Sequence, residues 1–147
     1  MDEKLYKVDD PDQLFEACLE FFERVGHGVI AVYLYGSMIK VCRGHDLDVA
    51  VFGHEDMDEF RLGSQLEGWL LSKGIKVPVD LKIMSHAPIW AQFQAIKEGK
   101  RIYQKSPEEA ADLEFWIITR YLDFKPVLEE YEREAMKIIL KAISGRP

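Results

Sequence analysis

The stretch from residue 28 to residue 53 constrains the fold more than any other part of this 147-residue chain. An apolar run over 29–35 ends at a Gly36-Ser37 pair, and a second apolar run ends at Phe52. Short apolar runs bounded by turn residues are typical of buried strands. The stretch therefore predicts a strand, a tight loop and a second strand.

Two carboxylates stand at the start of the second run. Asp46 and Asp48 are separated by one residue, and alternate side chains of an extended strand point to the same face. Two carboxylates this close repel each other unless a cation lies between them. Magnesium is typically held by one or two carboxylates together with substrate phosphates. The pair therefore favours a metal-nucleotide site over the alternative of a solvent-facing strand end.

The Gly36-Ser37 turn supplies a second part of such a site. Glycine lets a phosphate approach the backbone closely, and exposed backbone amides bind anions. A helical turn that starts near Met38 would add the positive end of its dipole. A Gly-Ser pair alone is usually only a turn, so the prediction rests on its place between the two apolar runs.

A third carboxylate lies in residues 75–84, where apolar and polar residues alternate as in a strand. The alternation places Asp80 on the polar face, on the same side as Lys82. Pro78 cannot donate a ladder hydrogen bond, so it predicts an edge strand. Taken alone, Asp80 would be interpreted as a solvent-facing strand residue; beside Asp46 and Asp48 it is interpreted as a third metal ligand.

The order of these motifs resembles the polymerase-beta-type nucleotidyltransferase superfamily. Gly36-Ser37, Asp46-x-Asp48 and Asp80 carry the resemblance. The chain is most similar to the minimal nucleotidyltransferase branch, the antitoxins paired with HEPN-domain toxins. Segments similar to that branch also occur at KEGKRIY (97–103) and RYLDFKP (120–126).

The resemblance implies an α/β (α+β) fold with a small mixed sheet flanked by helices, and C-terminal helices over 107–144. The length of the chain predicts one domain over residues 1–147. The resemblance also implies transfer of AMP from ATP, with two Mg²⁺ ions, to a tyrosine hydroxyl of a cognate HEPN toxin. The catalytic and metal-binding residues it implies are Asp46, Asp48 and Asp80. The nucleotide-binding residues it implies are Gly36, Ser37, Lys40 and Arg43.

Two other functions remain open at this point. Eight residues separate Ser37 from Asp46, whereas family members commonly have ten, and this shorter loop keeps a non-catalytic antitoxin that acts by binding under consideration. The second alternative is a small-molecule nucleotidyltransferase of the aminoglycoside type. Such relatives usually carry a larger second domain, and 147 residues leave little room for one.

Composition excludes several other classes of protein. A net charge of -7 argues against generic nucleic-acid binding, which depends on lysine and arginine. Cys18 and Cys42 lie far apart and suggest neither a zinc site nor a disulfide framework. The first ten residues lack a signal-peptide pattern, and no apolar run approaches the ~20 residues of a membrane span. We therefore expect a cytoplasmic protein.

Capping signals and apolar periodicity predict the remaining elements. Asp10-Pro11 predicts the start of a helix that ends at Gly26. Further helices are predicted over about 56–72 and 88–97, with Phe60 and Trp90 facing inward, and a short strand at 102–103.

The C-terminal segment begins with a helix start at Ser106-Pro107. Pro126 predicts a break, with two helices at an angle. Between 107 and 134 there are nine acidic and three basic residues, which form either a solvated face or a docking surface for a basic partner. The apolar stripe over 128–142 either packs on its own domain or pairs with a second chain, including a second copy.

Overall fold

The computed structural model describes residues 4–54 and 56–145, so residues 1–3 of the N-terminal segment considered above lie outside it, as do 55, 146 and 147. The described strands are β1 (Tyr6–Lys7), β2 (Val29–Tyr35), β3 (Arg43–Gly44), β4 (Leu47–Gly53), β5 (Val79–Ile83) and β6 (Lys100–Gln104). The described helices are α1 (Pro11–Val25), α2 (Ser37–Val41), α3 (Glu59–Ser72), α4 (Ile89–Glu98) and α5 (Pro107–Ile143), with a 3-10 turn at Met84–His86.

A four-stranded mixed sheet forms the centre of the molecule, in the order β5-β4-β2-β6. β2 is antiparallel to both β4 and β6, whereas β4 and β5 run parallel. The crossover through α3 is what allows β5 to lie parallel to β4. The prediction of a small mixed sheet flanked by helices is confirmed, and β5 lies at an edge, as Pro78 predicted.

Helices cover both faces of this sheet. Alternate residues of β4 divide between two apolar cores: Val49 and Val51 pack with α1 and α3, and Ala50 and Phe52 pack with α4 and α5. By the same alternation Asp48 belongs to the α4–α5 face. The sheet therefore presents Asp48, which is only partly buried, on the α4–α5 face.

The helix starts follow the expected capping chemistry. The Asp10 side chain accepts a hydrogen bond from the Gln13 backbone N–H at 3.2 Å, with Pro11 in the first turn. Ser106 likewise accepts from the Glu109 backbone N–H at 3.1 Å. Asp58 caps α3, so this helix begins three residues later than predicted from Asp56.

Three local predictions were wrong. The strand predicted over 75–84 is shorter, because Pro78 has no N–H for the ladder and β5 starts only after it. Phe60 is 84% exposed and Trp90 is 48% exposed, although periodicity placed both inward. Both lie in the first turn of a helix, and periodicity does not tell where along its length a helix is covered.

The predicted break at Pro126 was also wrong, because α5 continues through it as one helix of 37 residues. Proline removes one backbone hydrogen bond and crowds the carbonyl of Leu122, which can bend a helix without ending it. Four glutamates lie between residues 129 and 134, directly after the proline, and glutamate favours helix.

The distal half of α5 extends beyond the part that packs on the sheet. Ala110 and Ile117 are buried in the proximal half. Beyond Pro126 the large apolar side chains are exposed: Val127, Tyr131, Met136, Ile138, Ile139, Leu140 and Ile143. Leu128 and Ala135 of the predicted stripe are partly buried, whereas Tyr131, Ile138 and Ala142 are exposed, so most of the stripe over 128–142 does not pack on its own domain.

No helix within residues 4–54 and 56–145 combines the length and the apolar character needed to cross a membrane.

Candidate active site

Three carboxylates meet at one end of the sheet. Asp48 of β4 and Asp80 of β5 are direct neighbours in the parallel register. Asp46 stands two residues before Asp48, immediately ahead of β4. One oxygen atom from each of the three carboxylates can be chosen so that all three lie within 4.8 Å of one another. The parallel β4–β5 pairing thus brings together residues that are more than thirty positions apart in the chain.

Partial burial and mutual repulsion perturb the central carboxylate. The pKa of Asp48 is raised to about 6, first by burial and then by the negative charges of Asp46 and Asp80. Lys82 opposes this shift, with its Nζ atom 4.0 Å from the Asp80 Oδ2 atom. A bound cation would remove the repulsion, because an opposite charge favours the ionised form.

The Gly36-Ser37 turn lies directly against this cluster. Gly36 has φ +85°, and a Cβ atom built on it would lie 2.2 Å from the Asp48 Oδ2 atom. A side chain at this position would therefore collide with a predicted metal ligand. Ser37 begins α2, and its Oγ atom approaches Gly44 so closely that a Cβ there would lie 2.4 Å from it. Only glycine fits at position 36 without displacing the carboxylate.

The other predicted nucleotide-binding residues lie in the short loop after this turn. The Lys40 Nζ atom donates a hydrogen bond to the Glu98 Oε2 atom of α4 at 3.3 Å. Arg43 is exposed, and it pairs through its backbone with Lys7 in the small β1–β3 ribbon. The structure thus brings Gly36 to the carboxylates, whereas Lys40 is bound to α4 and Arg43 belongs to the ribbon.

Two residues at the site were missed by the sequence-based assignment. Tyr35 is opposite Asp48 in the β2–β4 register, and burial together with the three aspartates raises its pKa to about 12. Lys82 forms the ion pair with Asp80 described above. The alternation of β5 already placed Lys82 on the face of Asp80, so that signal was available. Nothing in the local pattern marked Tyr35, since only the cross-strand register brings it to Asp48.

The donor atoms of this cluster suit a hard divalent cation. Oxygen is the ligand that Mg²⁺ prefers, and magnesium sites commonly combine carboxylates with substrate phosphates. The adjacent glycine turn leaves room for a phosphate at the backbone. A mixed sheet that presents these carboxylates beside such a turn defines the class of metal-dependent phosphoryl- or nucleotidyl-transferring enzymes.

Comparison with known proteins defines this class further. The family model described as polymerase beta, nucleotidyltransferase matches residues 16–108, a span that contains the glycine turn and all three carboxylates. The chain therefore belongs to the polymerase beta nucleotidyltransferase family, and the predicted enzyme class is confirmed. No curated protein matches the sequence.

Several solved structures share the fold. A chain of the complex between a tri-AMPylated Shewanella oneidensis HEPN toxin and an MNT antitoxin is 17% identical, with a TM-score of 0.66 over 84% of this chain and 98% of that one. A chain of the MntA-HepT toxin-antitoxin complex is 16% identical, with a TM-score of 0.65 over 86% and 99%. A chain of a toxin-antitoxin structure with AMP-PNP is 16% identical, with a TM-score of 0.67 over 83% and 98%. These neighbours match the fold expected from the sequence resemblance.

Proposed function

We propose that this protein transfers AMP from ATP, with the help of Mg²⁺, to a tyrosine hydroxyl of a HEPN toxin and thereby inactivates that toxin. The observation that carries the proposal is the meeting of Asp46, Asp48 and Asp80 beside the Gly36 turn. The free thiols Cys18 and Cys42 are compatible with a reducing cytoplasm, where ATP and magnesium are available.

The three carboxylates would hold two magnesium ions. When bound, these ions would neutralise negative charge on the phosphates and on the attacking and leaving oxygens. The raised pKa of Asp48 supports this assignment, because it reflects a cluster of negative charge that a cation would stabilise. Lys82 beside Asp80 offsets only part of that charge in the protein alone.

The glycine turn would seat the triphosphate. Gly36 leaves its backbone open to an approaching phosphate oxygen, and the Ser37 hydroxyl would donate to it. Lys40 would exchange its exposed ion pair with Glu98 for the pyrophosphate, because a solvent-exposed pair of this kind contributes little stability. Arg43 would add positive charge from the loop.

The chemical step follows from this arrangement. The acceptor oxygen attacks the α-phosphorus, a new P–O bond forms, and the bond to the β-phosphate oxygen breaks as pyrophosphate leaves. Asp80 would accept the proton of the acceptor hydroxyl, provided the hydroxyl lies within hydrogen-bond reach. Asp80 suits this role because it lies on the edge strand β5 and its side chain is only partly buried, so an acceptor could reach it.

Helix α5 would supply the contact with the toxin. Its distal half exposes seven large apolar side chains, and its surface is rich in glutamate. Apolar patches of this kind mark interaction surfaces, and an acidic surround would steer a basic partner. The similar structures named above include MNT and MntA antitoxins in complexes with HEPN or HepT toxins, which supports this choice of partner.

The same exposed helix supports a second candidate, a non-catalytic antitoxin that neutralises its partner by binding alone. The two candidates differ in their dependence on the carboxylates. The double variant Asp46→Asn/Asp48→Asn would abolish AMP transfer but would leave a partner-binding surface on α5 intact.

The test uses α-labelled ATP, Mg²⁺ and a purified HEPN protein encoded next to this gene. We expect label on the partner with the wild type, no label with the Asp46→Asn/Asp48→Asn variant, and equal complex formation by both in gel filtration. The control, Glu16→Gln, removes an exposed carboxylate of α1, on the opposite face of the sheet from α5, and should transfer at the wild-type rate. A stable complex without label on either protein would instead establish the binding antitoxin.

A further inference from the structure

A cleft of about 540 Å³ opens between the end of β5 and the first turns of α4. We refer to it as the α4 cleft. Its lining includes Tyr35, Glu59, Lys82, Met84, Trp90 and Ala91. Its volume lies within the range of small-molecule and side-chain binding sites, about 300 to 1,000 Å³.

Two of the lining residues connect this cleft to the carboxylates. Tyr35 is opposite Asp48 in the sheet register, and Lys82 forms the ion pair with Asp80. The cleft therefore begins at the carboxylate cluster and runs along β5 toward α4. A group seated in it would reach Asp80 from the β5 side.

The order of the strands indicates whether ATP or the acceptor approaches from the β5 side of the carboxylates. In a two-metal transfer the attacking and leaving oxygens lie roughly in line on opposite sides of the phosphorus. The Gly36-Ser37 turn follows β2, and β2 and β5 flank β4 on opposite sides. Pyrophosphate seated at Gly36-Ser37 would therefore leave toward β2, and the acceptor would approach from β5, whose residues Lys82 and Ile83 line the α4 cleft.

The wall of the cleft is flat, apolar and firmly held. Trp90, Met84, Pro88 and Ala91 contribute to it, and Trp90 remains 48% exposed. The buried Gln92 side chain donates to the Met84 carbonyl at 2.9 Å and to the Ala87 carbonyl at 3.0 Å. These two bonds fasten the turn before α4 and so fix the position from which Trp90 projects.

A second cleft on the other side of β5 has the wrong chemistry for this role. It measures about 490 Å³, and its lining includes Phe60, Glu67, Asp80 and Glu59, the last of which also lines the α4 cleft. Both glutamates accept backbone N–H groups of β5, from Ile83 at 2.8 Å and from Val79 at 2.7 Å. The lining of this cleft lacks both Tyr35 and Lys82, and Glu67 adds a further negative charge near Asp80. It provides the matched control.

We propose that the α4 cleft holds the acceptor side chain, the ring of a polypeptide tyrosine lying against Trp90 with its hydroxyl directed at Asp80. The inference rests on the proposed function and adds the place and the ring contact of the acceptor. The phenolic oxygen forms the new bond to the α-phosphorus, its proton passes to Asp80, and pyrophosphate carries away the electron pair of the broken bond. Lys82, at the mouth of the cleft, attracts acidic residues next to that tyrosine.

The experiment compares Trp90→Ala, Trp90→Phe and Phe60→Ala in transfer from MgATP to the neighbouring-gene HEPN protein. We expect Trp90→Ala to raise KM for this acceptor about tenfold, because an aromatic ring contact and its buried area are lost. Trp90→Phe keeps a ring and should recover most of that loss. Phe60→Ala, in the second cleft, should leave KM within about twofold of wild type.

Binding of AMP-PNP, measured by equilibrium dialysis, shows whether Trp90 contacts the nucleotide or the acceptor. We expect Trp90→Ala to leave its Kd unchanged. Weaker AMP-PNP binding with an unchanged acceptor KM would overturn the inference, because the cleft would then hold the nucleobase. Equal losses in Trp90→Ala and Phe60→Ala would overturn it as well. Absence of transfer by the wild type would mean that the proposed function itself has failed.

Discussion

Replacement of Asp48 by asparagine should make the protein more stable while abolishing its activity. In the absence of metal the Asp48 carboxylate is partly buried beside Asp46 and Asp80, and its pKa is raised to about 6 from 3.8. Asparagine has nearly the same shape and carries no charge. The variant therefore removes the repulsion and keeps the side-chain volume.

The size of the effect follows from the shift of the pKa. A rise of about two units corresponds to about 3 kcal/mol between the two protonation states. Because the site is partly open to solvent, which screens charge, we expect about half of this, a gain of about 1.5 kcal/mol in the free energy of unfolding at neutral pH.

The upward direction of the Asp48 pKa shift determines how stability depends on pH. The folded state keeps its proton to higher pH than the unfolded state does, so the wild type loses stability as pH rises from about 4 to about 6. The asparagine variant lacks this loss. Its advantage should be absent near pH 4 and complete above about pH 7.

The assay is urea unfolding followed by far-UV circular dichroism, in EDTA, at about pH 4 and about pH 8. The exposed variant Asp112→Asn serves as control and should change stability by less than about 0.5 kcal/mol. Added Mg²⁺ should stabilise the wild type more than Asp48→Asn, because a ligand that binds the folded state raises its stability. A loss of stability in Asp48→Asn at pH 8, or a gain equal at both pH values, would refute the reasoning.

Three further substitutions test neighbouring parts of the structure. Gly36→Ala places a methyl group 2.2 Å from Asp48 at φ +85°, so it should lower the free energy of unfolding by about 1 to 2 kcal/mol and transfer by about 100-fold, measured by urea unfolding and pyrophosphate release. Tyr33→Phe removes a buried hydroxyl that donates to Glu114 and should lower the free energy of unfolding by about 1 kcal/mol. Its rate of AMP transfer should equal that of the wild type, and a slower rate would contradict a purely structural role for this hydroxyl. Lys82→Gln removes the positive charge that lowers the pKa of Asp48. The titration of the Asp48 carboxyl group, followed by NMR, should therefore move to higher pH. A move to lower pH would contradict the position of Lys82 beside the carboxylates.

Much of the fold could be predicted from the sequence, because local signals determine it. Alternating or continuous apolar runs marked β2 and β4, and capping residues such as Asp10 and Ser106 marked helix starts that the structure confirms. The edge position of β5 followed from Pro78. These features depend on neighbours in the chain, which a sequence displays directly.

The predictions that failed depend on long-range packing. Nothing near Phe60 or Trp90 shows that the first turns of their helices line clefts. Whether Pro126 ends or only bends a helix depends on the stability of the flanking turns, and the exposed glutamate-rich turns of α5 tolerate the missing hydrogen bond. Tyr35 became visible as a site residue only through its cross-strand neighbour Asp48.

The most direct test of the proposed function is intact-mass spectrometry of the neighbouring-gene HEPN protein after co-expression with this chain. We predict that the toxin gains one or more AMP units on tyrosine and that the gain disappears with Asp46→Asn/Asp48→Asn, while Glu16→Gln behaves as wild type. An unmodified toxin that is still neutralised by the wild type and by the double variant would contradict nucleotidyl transfer as the function of this protein.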